Sequence, residues 1–164
     1  MTAPDRYLLA TTHARDAAYD VVLLAHVLVA VVGLGAVVVA GGYALVLRRS
    51  GPGPDSVRRY YRPGVNWAGR VLFLIPVLGV ALMALSHGDW SFADGWITIG
   101  LALWAVVAVA AEMALWPAER RLQVAVAGPT TVAELRPLCL RVAWLSAALS
   151  VALVAATVIM VAKP

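Results

Sequence analysis

His26, His87 and Glu112 stand in or beside otherwise apolar runs of this 164-residue chain. Ionisable groups are costly in such surroundings, so each calls for a reason. A neutral imidazole ligates haem iron or copper, and two imidazoles from facing helices make a bis-histidine haem site. Counting from Asp20, His26 falls roughly 8 Å below the boundary of its apolar run, while His87 closes the second run on the same side. Met83, one turn deeper than His87, matches the depth of His26 better and offers a His/Met pair. The plainer alternative is that His26 hydrogen-bonds a backbone carbonyl or a serine across the bundle, and that His87 is a solvated cap before Gly88. A zinc or copper site at the same mouth, from His87 with Asp89 or Asp94 and His13, is chemically permissible.

Glu112 lies about one turn before Trp116-Pro117 and needs a partner. Arg141 and Arg70 are each placed to meet it at equal depth, which predicts a structural ion pair. A proton-relay carboxylate is the sharper alternative. Glu119, next to Arg120 and Arg121, reads as part of an interfacial charge cluster. There is no P-loop, GxSxG elbow, HExxH or acidic pair within an apolar run, which argues against hydrolase and ATP-driven functions.

The elements that must position these residues follow from composition. With 62% hydrophobic and 13% charged residues, the chain carries far more apolar surface than a water-soluble core needs. A spanning helix requires about 20 apolar residues, and Tyr19–Leu47, Val65–Ser86, Gly95–Trp116 and Leu138–Val161 all qualify. The expectation is an all-α bundle of four transmembrane helices over residues 19–162, preceded by an extracytoplasmic tail of residues 1–18. Contact with the lipid bilayer follows, and homo-oligomers or membrane-protein partners are open.

Arginines sort the ends. Arg48, Arg49, Arg58, Arg59, Arg62 and Arg70 cluster around the first connection and Arg120, Arg121, Arg136 and Arg141 around the third, whereas the stretch from His87 to Asp94 has none. The positive-inside rule makes the arginine loops cytoplasmic and both termini extracytoplasmic, as in a bacterial inner-membrane protein. Tyr19, Trp90, Phe92 and Trp96 then mark the outer interface, and Tyr60, Tyr61, Trp67 and Trp116 the inner one. The arginines lie in connections rather than on one amphipathic surface, which argues against nucleic-acid binding. A single cysteine, Cys139, excludes an intrachain disulfide.

The two arginine loops share a pattern, with Gly53-Pro54 and Gly128-Pro129 each followed by an Arg-Pro pair, which suggests two tandem helical hairpins. Thr131-Val132-Ala133-Glu134 reads as a capping box. Pro76, deep in the second span, predicts a kink unless a neighbour satisfies the carbonyl it frees. Ala36, Ala40 and Ala44, and Ala148, Ala152 and Ala156, form small-residue rows suited to helix contacts.

Trp90-Ser91-Phe92, Trp96-Ile97-Thr98-Ile99-Gly100-Leu101, Trp104 and Trp116-Pro117-Ala118-Glu119-Arg120-Arg121-Leu122-Gln123 resemble an uncharacterised family of small bacterial integral membrane proteins. The first span, with His26 followed by Gly33 and Gly35, is more distantly similar to copper-resistance D-like proteins. That wider group is thought to include a membrane protoporphyrinogen oxidase holding haem b through a first-helix histidine, so the resemblance implies haem b at His26. The chain departs from the pattern at Val32-Gly33, where a tryptophan is expected after the histidine. Residues and resemblance together lead to a redox-associated accessory subunit with His26 and either His87 or Met83 as haem ligands. A non-catalytic scaffold or partner-binding subunit, with His26 and Glu112 serving helix packing, is the competing expectation.

Overall fold

The computed structural model describes residues 3–51 and 55–162, with side chains from residue 17 onward. Helix α1 runs over Ala3–Ser50 and short α2 over Asp55–Tyr60. The second span is composite: α3 (Trp67–Arg70), a 3₁₀ turn (Val71–Phe73) and α4 (Leu74–Leu85). The third is also composite, with α5 (Gly95–Ala110), a π-helical turn (Ala111–Leu115) and α6 (Trp116–Ala127), and α7 covers Val132–Ala162. All are helices, and four are long and apolar enough to cross a membrane: Ala17–Ser50, Trp67–Leu85, Gly95–Ala127 and Val132–Ala162. In the most apolar stretch of each, only 11% to 28% of residues are buried within the bundle, so most apolar side chains face outward, as they do against lipid.

α1 packs against α7 on one side and α4 on the other, and α7 also packs against α5 and α6. Small residues set the close approaches. A Cβ built on Gly41 would come within 2.7 Å of Ser146 Cβ, and one on Gly33 within 2.7 Å of Leu72 Cδ2. Gly100 likewise has no room for a side chain beside Met160. The row expected in α1 is present, since Ala40 and Ala44 are buried. Of the row expected in the last span, Ala148 is exposed whereas Ala152 is partly buried against the core, and α7 buries Cys139, Val142, Ser146, Leu149 and Leu153. Ser146 of that stripe meets Gly41 of α1, and Ala148 is turned away from it by helical phase.

Of the three prolines inside the spans, Pro76, Pro117 and Pro137, the first two are accommodated differently. Pro76 cannot donate to the Leu72 carbonyl; the Trp104 indole does so instead, at 2.9 Å. The 3₁₀ turn at Val71–Phe73 directly precedes this break. Pro117 sits just beyond the π-helical turn at Ala111–Leu115, so the third span continues past its proline rather than ending there. The helix therefore extends to Ala127, well beyond the expected end at Trp116.

The two arginine-bearing connections, alike in sequence, are unlike in structure. The first contains α2, pinned beneath the bundle by buried Val57 and Tyr61, and its Gly53-Pro54 lies outside the described residues. The second is an extension of α6 followed by a turn, where Thr131 and Glu134 form the reciprocal capping box: the Thr131 amide donates to Glu134 Oε2 at 2.9 Å, and the Glu134 amide to Thr131 Oγ1 at 3.4 Å. Trp116 and Tyr61, expected at the inner interface, are core residues at 6% and 1% exposure.

Candidate functional site

His26 is half-buried on the α1 face that meets α4. Its Cε1 lies 3.6 Å from where a Gly79 Cβ would be, and the ring also interacts with the Ile75 backbone. Nδ1 is buried and has no hydrogen-bond partner. Glycine at 79 thus leaves the imidazole lying directly on the α4 backbone, one turn beyond Pro76.

The contacts Gly33–Leu72 and Gly79–His26 fix a common antiparallel register for α1 and α4. Met83 is one turn beyond Gly79 on the same face, about 6 Å along the axis. Side chains lean toward the N-terminus of their helix, so Met83 leans toward the level of His26 and His26 toward that of Met83. His87 is another turn out, about 12 Å beyond Gly79. It is exposed and adopts a left-handed backbone (φ 57°), followed by Gly88 (φ 95°), in the turn that ends α4. The expected pairing of His26 with His87 is therefore not made at one depth, whereas His26 with Met83 is close to level.

The turn between α4 and α5 is internally bonded. Buried Ser86 donates to the Met83 carbonyl at 2.8 Å and accepts from the Trp90 amide at 3.2 Å. Asp94 accepts from the Ser91 amide at 2.7 Å, which occupies one of the carboxylates considered for a metal. Among the described residues, no three histidine, cysteine or acidic side chains come together, and the His13 side chain lies outside them.

Glu112 is in the π-helical turn and meets Arg70, with Nη1 3.8 Å from Oε2; both side chains are partly exposed. The Arg70 guanidinium also lies over the Trp116 ring, 4.7 Å from its centroid. Arg141 is exposed and does not join the pair. Depth explains this: the Gly100–Met160 contact sets α5 and α7 in a register that makes Glu112 level with Ala148, and Arg141 lies about 10 Å further toward the arginine-bearing end.

A second polar cluster was not expected from sequence. Glu119 is only 3% exposed and turns inward, away from Arg120 and Arg121, so it is not part of an interfacial charge cluster. Its Oε1 accepts from Asn66 Nδ2 at 3.2 Å and from the Tyr60 hydroxyl at 3.4 Å. Asn66 also caps the second span, accepting from the Gly69 amide at 3.2 Å. Tyr60 stacks on Tyr43 with ring centroids 4.4 Å apart, and the Tyr61 hydroxyl donates to the Ala40 carbonyl at 3.3 Å. Burial, then the neighbouring Glu119, pushes the Tyr60 phenol above its ordinary range, and burial does the same to Tyr61. The available signal was helical phase: Glu119 and Gln123 share a face with Leu115, Trp116 and Leu122, all buried.

Compared with protein-family models, curated proteins and solved structures, the chain matches none. Its chemistry must be argued from its own residues.

Proposed function

We propose that this chain is a small multi-pass subunit of a bacterial inner membrane, with both termini extracytoplasmic, that holds haem b near the outer face through His26. The observation supporting this reading is the His26 Nδ1, a buried nitrogen with no hydrogen-bond partner. An unmet polar atom in such a place costs about 1–3 kcal/mol, and a ligand removes that cost. Met83, nearer than His87 to the level of His26 in the α1–α4 register, would be the second residue to hold the haem. Bound haem would supply a one-electron couple, suited to electron transfer or to oxidation of a lipophilic substrate such as a quinol or a porphyrinogen. The chain's own part is to orient the imidazole against the Ile75 backbone.

The test is an absorption spectrum of the full chain in mild detergent, purified from haem-supplied cells, oxidised and then dithionite-reduced. The expected result is a Soret band that shifts on reduction, disappears in His26→Ala, changes in Met83→Leu and persists in His87→Ala. A featureless wild-type spectrum would overturn the reading.

One observation favours a second reading, a scaffold or partner-binding subunit. α1 and α4 already touch closely at Gly33–Leu72 and Gly79–His26, so His26 also serves as a packing residue in that seam. On this reading, wild type has no visible band and His26→Leu lowers thermal stability without any spectral change.

A further inference from the structure

α2 is held rigidly on one side and presents arginines on the other. Val57 is completely buried and Tyr61 nearly so; the Tyr61 amide donates to the Val57 carbonyl at 3.0 Å, and the Tyr60–Tyr43 stack ties the end of the helix to α1. Arg58, Arg59 and Arg62 project from this platform, all exposed. They line an open cleft of about 410 Å³ together with Val126 and Ala127 at the end of α6.

The cleft is unbalanced in charge. Asp55 is the acidic residue on its lining, against three arginines. Among the described residues the ion pair within 4.0 Å is Arg70–Glu112, so no carboxylate engages Arg58, Arg59 or Arg62 at that distance. Like charges gathered on a rigid platform repel, and a bound anion offsets that repulsion. Guanidinium groups match phosphoryl oxygens in geometry, donating paired hydrogen bonds that a lysine does not. The apolar wall formed by Val126 and Ala127 suits the less polar part of a phosphate ester rather than a bare ion.

We propose that this cleft is a binding site for a phosphate monoester or diester, with Arg58, Arg59 and Arg62 holding the phosphoryl group and α6 walling its organic substituent. An anionic phospholipid headgroup and a soluble organic phosphate share this chemistry, and the site lies at the arginine-bearing end of the spans, within reach of either. It is independent of the haem reading, since it shares no residue with the His26 region.

The test is thermal unfolding of the full chain in detergent with added phosphatidylglycerol, phosphatidylcholine, glycerol phosphate or inorganic phosphate. Phosphatidylglycerol at saturation is expected to raise the midpoint on the order of 5 °C, with phosphatidylcholine well below it. The rise disappears in R58Q/R59Q/R62Q and persists in R120Q/R121Q/R136Q, which removes the same charge elsewhere on that end. A rise with glycerol phosphate alone, lost in the same triple variant, assigns the site to a soluble ester. No response to any phosphate compound, or equal losses in both triple variants, overturns the proposal. Should R58Q/R59Q/R62Q fail to fold, Arg62→Gln with native mass spectrometry of retained lipid decides instead: an unchanged phosphatidylglycerol occupancy overturns the site, and a reduced one supports it.

Discussion

The surroundings of Glu119 and of His26 handle a buried polar group in opposite ways. Around Glu119, each partner has a protein answer: Asn66 and Tyr60 donate to the carboxyl group, and Asn66 also caps its own helix. Around His26, one ring nitrogen has none. A satisfied network contributes to holding helices in place, because removing a member strands the others. The unmatched His26 nitrogen makes no such hydrogen bond, and neither do the buried Ser146 and Ser150 hydroxyls of α7. The difference separates a buried polar group that builds the bundle from one that is available to a ligand.

The sharpest way to break this contrast is Glu119→Leu, which leaves the Asn66 amide and the Tyr60 hydroxyl without their acceptor and is expected to destabilise by about 3 kcal/mol. Glu119→Gln keeps an acceptor and should lose less than half as much in the same detergent melts. Equal losses would show that charge rather than hydrogen bonding matters. Trp104→Phe frees the Leu72 carbonyl beside Pro76 and is expected to cost about 2 kcal/mol; a neutral result would mean the break at Pro76 needs no partner.

At His26 the expected sign reverses. His26→Leu removes an unmet nitrogen and should leave the haem-free protein unchanged or stabilised by about 1 kcal/mol, in contrast to Glu119→Leu. A clear loss of stability would place His26 among the packing residues. The tyrosine pair supplies a pH test of the surroundings of Glu119. Their phenols ionise at an ordinary value of 10.0 when exposed and higher in the fold, so the unfolded chain loses protons first. Their contribution is complete below about pH 10 and declines as pH rises above it. Melts across that range should show a steeper alkaline decline in wild type than in Tyr60→Phe. The smallest effect is expected for Arg70→Gln, where the pair with Glu112 is long and partly exposed; the loss should stay near 0.5 kcal/mol and shrink with salt.

Much of the frame was legible in the chain. The four spans stand out because hydrocarbon imposes a length and a composition, and the Thr131–Glu134 cap because it involves neighbours in sequence. Pro76 announced a freed carbonyl, although nothing in its vicinity identified Trp104 as the donor. Within the candidate sites the yield was uneven. His26 was singled out by its apolar surroundings, and Arg70 was one of two cations considered for Glu112. Glu119 was misassigned because adjacent Arg120 and Arg121 suggested a solvated cluster, while the helix turns Glu119 about 100° away from Arg120 and into the core.

By itself the sequence determined that this chain forms apolar helices long enough to cross a membrane, and which connections carry the positive charge. Those properties are sums over contiguous residues. Tertiary structure decided the register between helices, and with it that His26 lies against Gly79 rather than His87, that Arg141 misses Glu112, and that Glu119 meets Asn66 and Tyr60. Register depends on where glycines let two backbones approach, and at 1.5 Å per residue a shift of one turn moves a side chain about 5 Å, beyond the reach of a hydrogen bond.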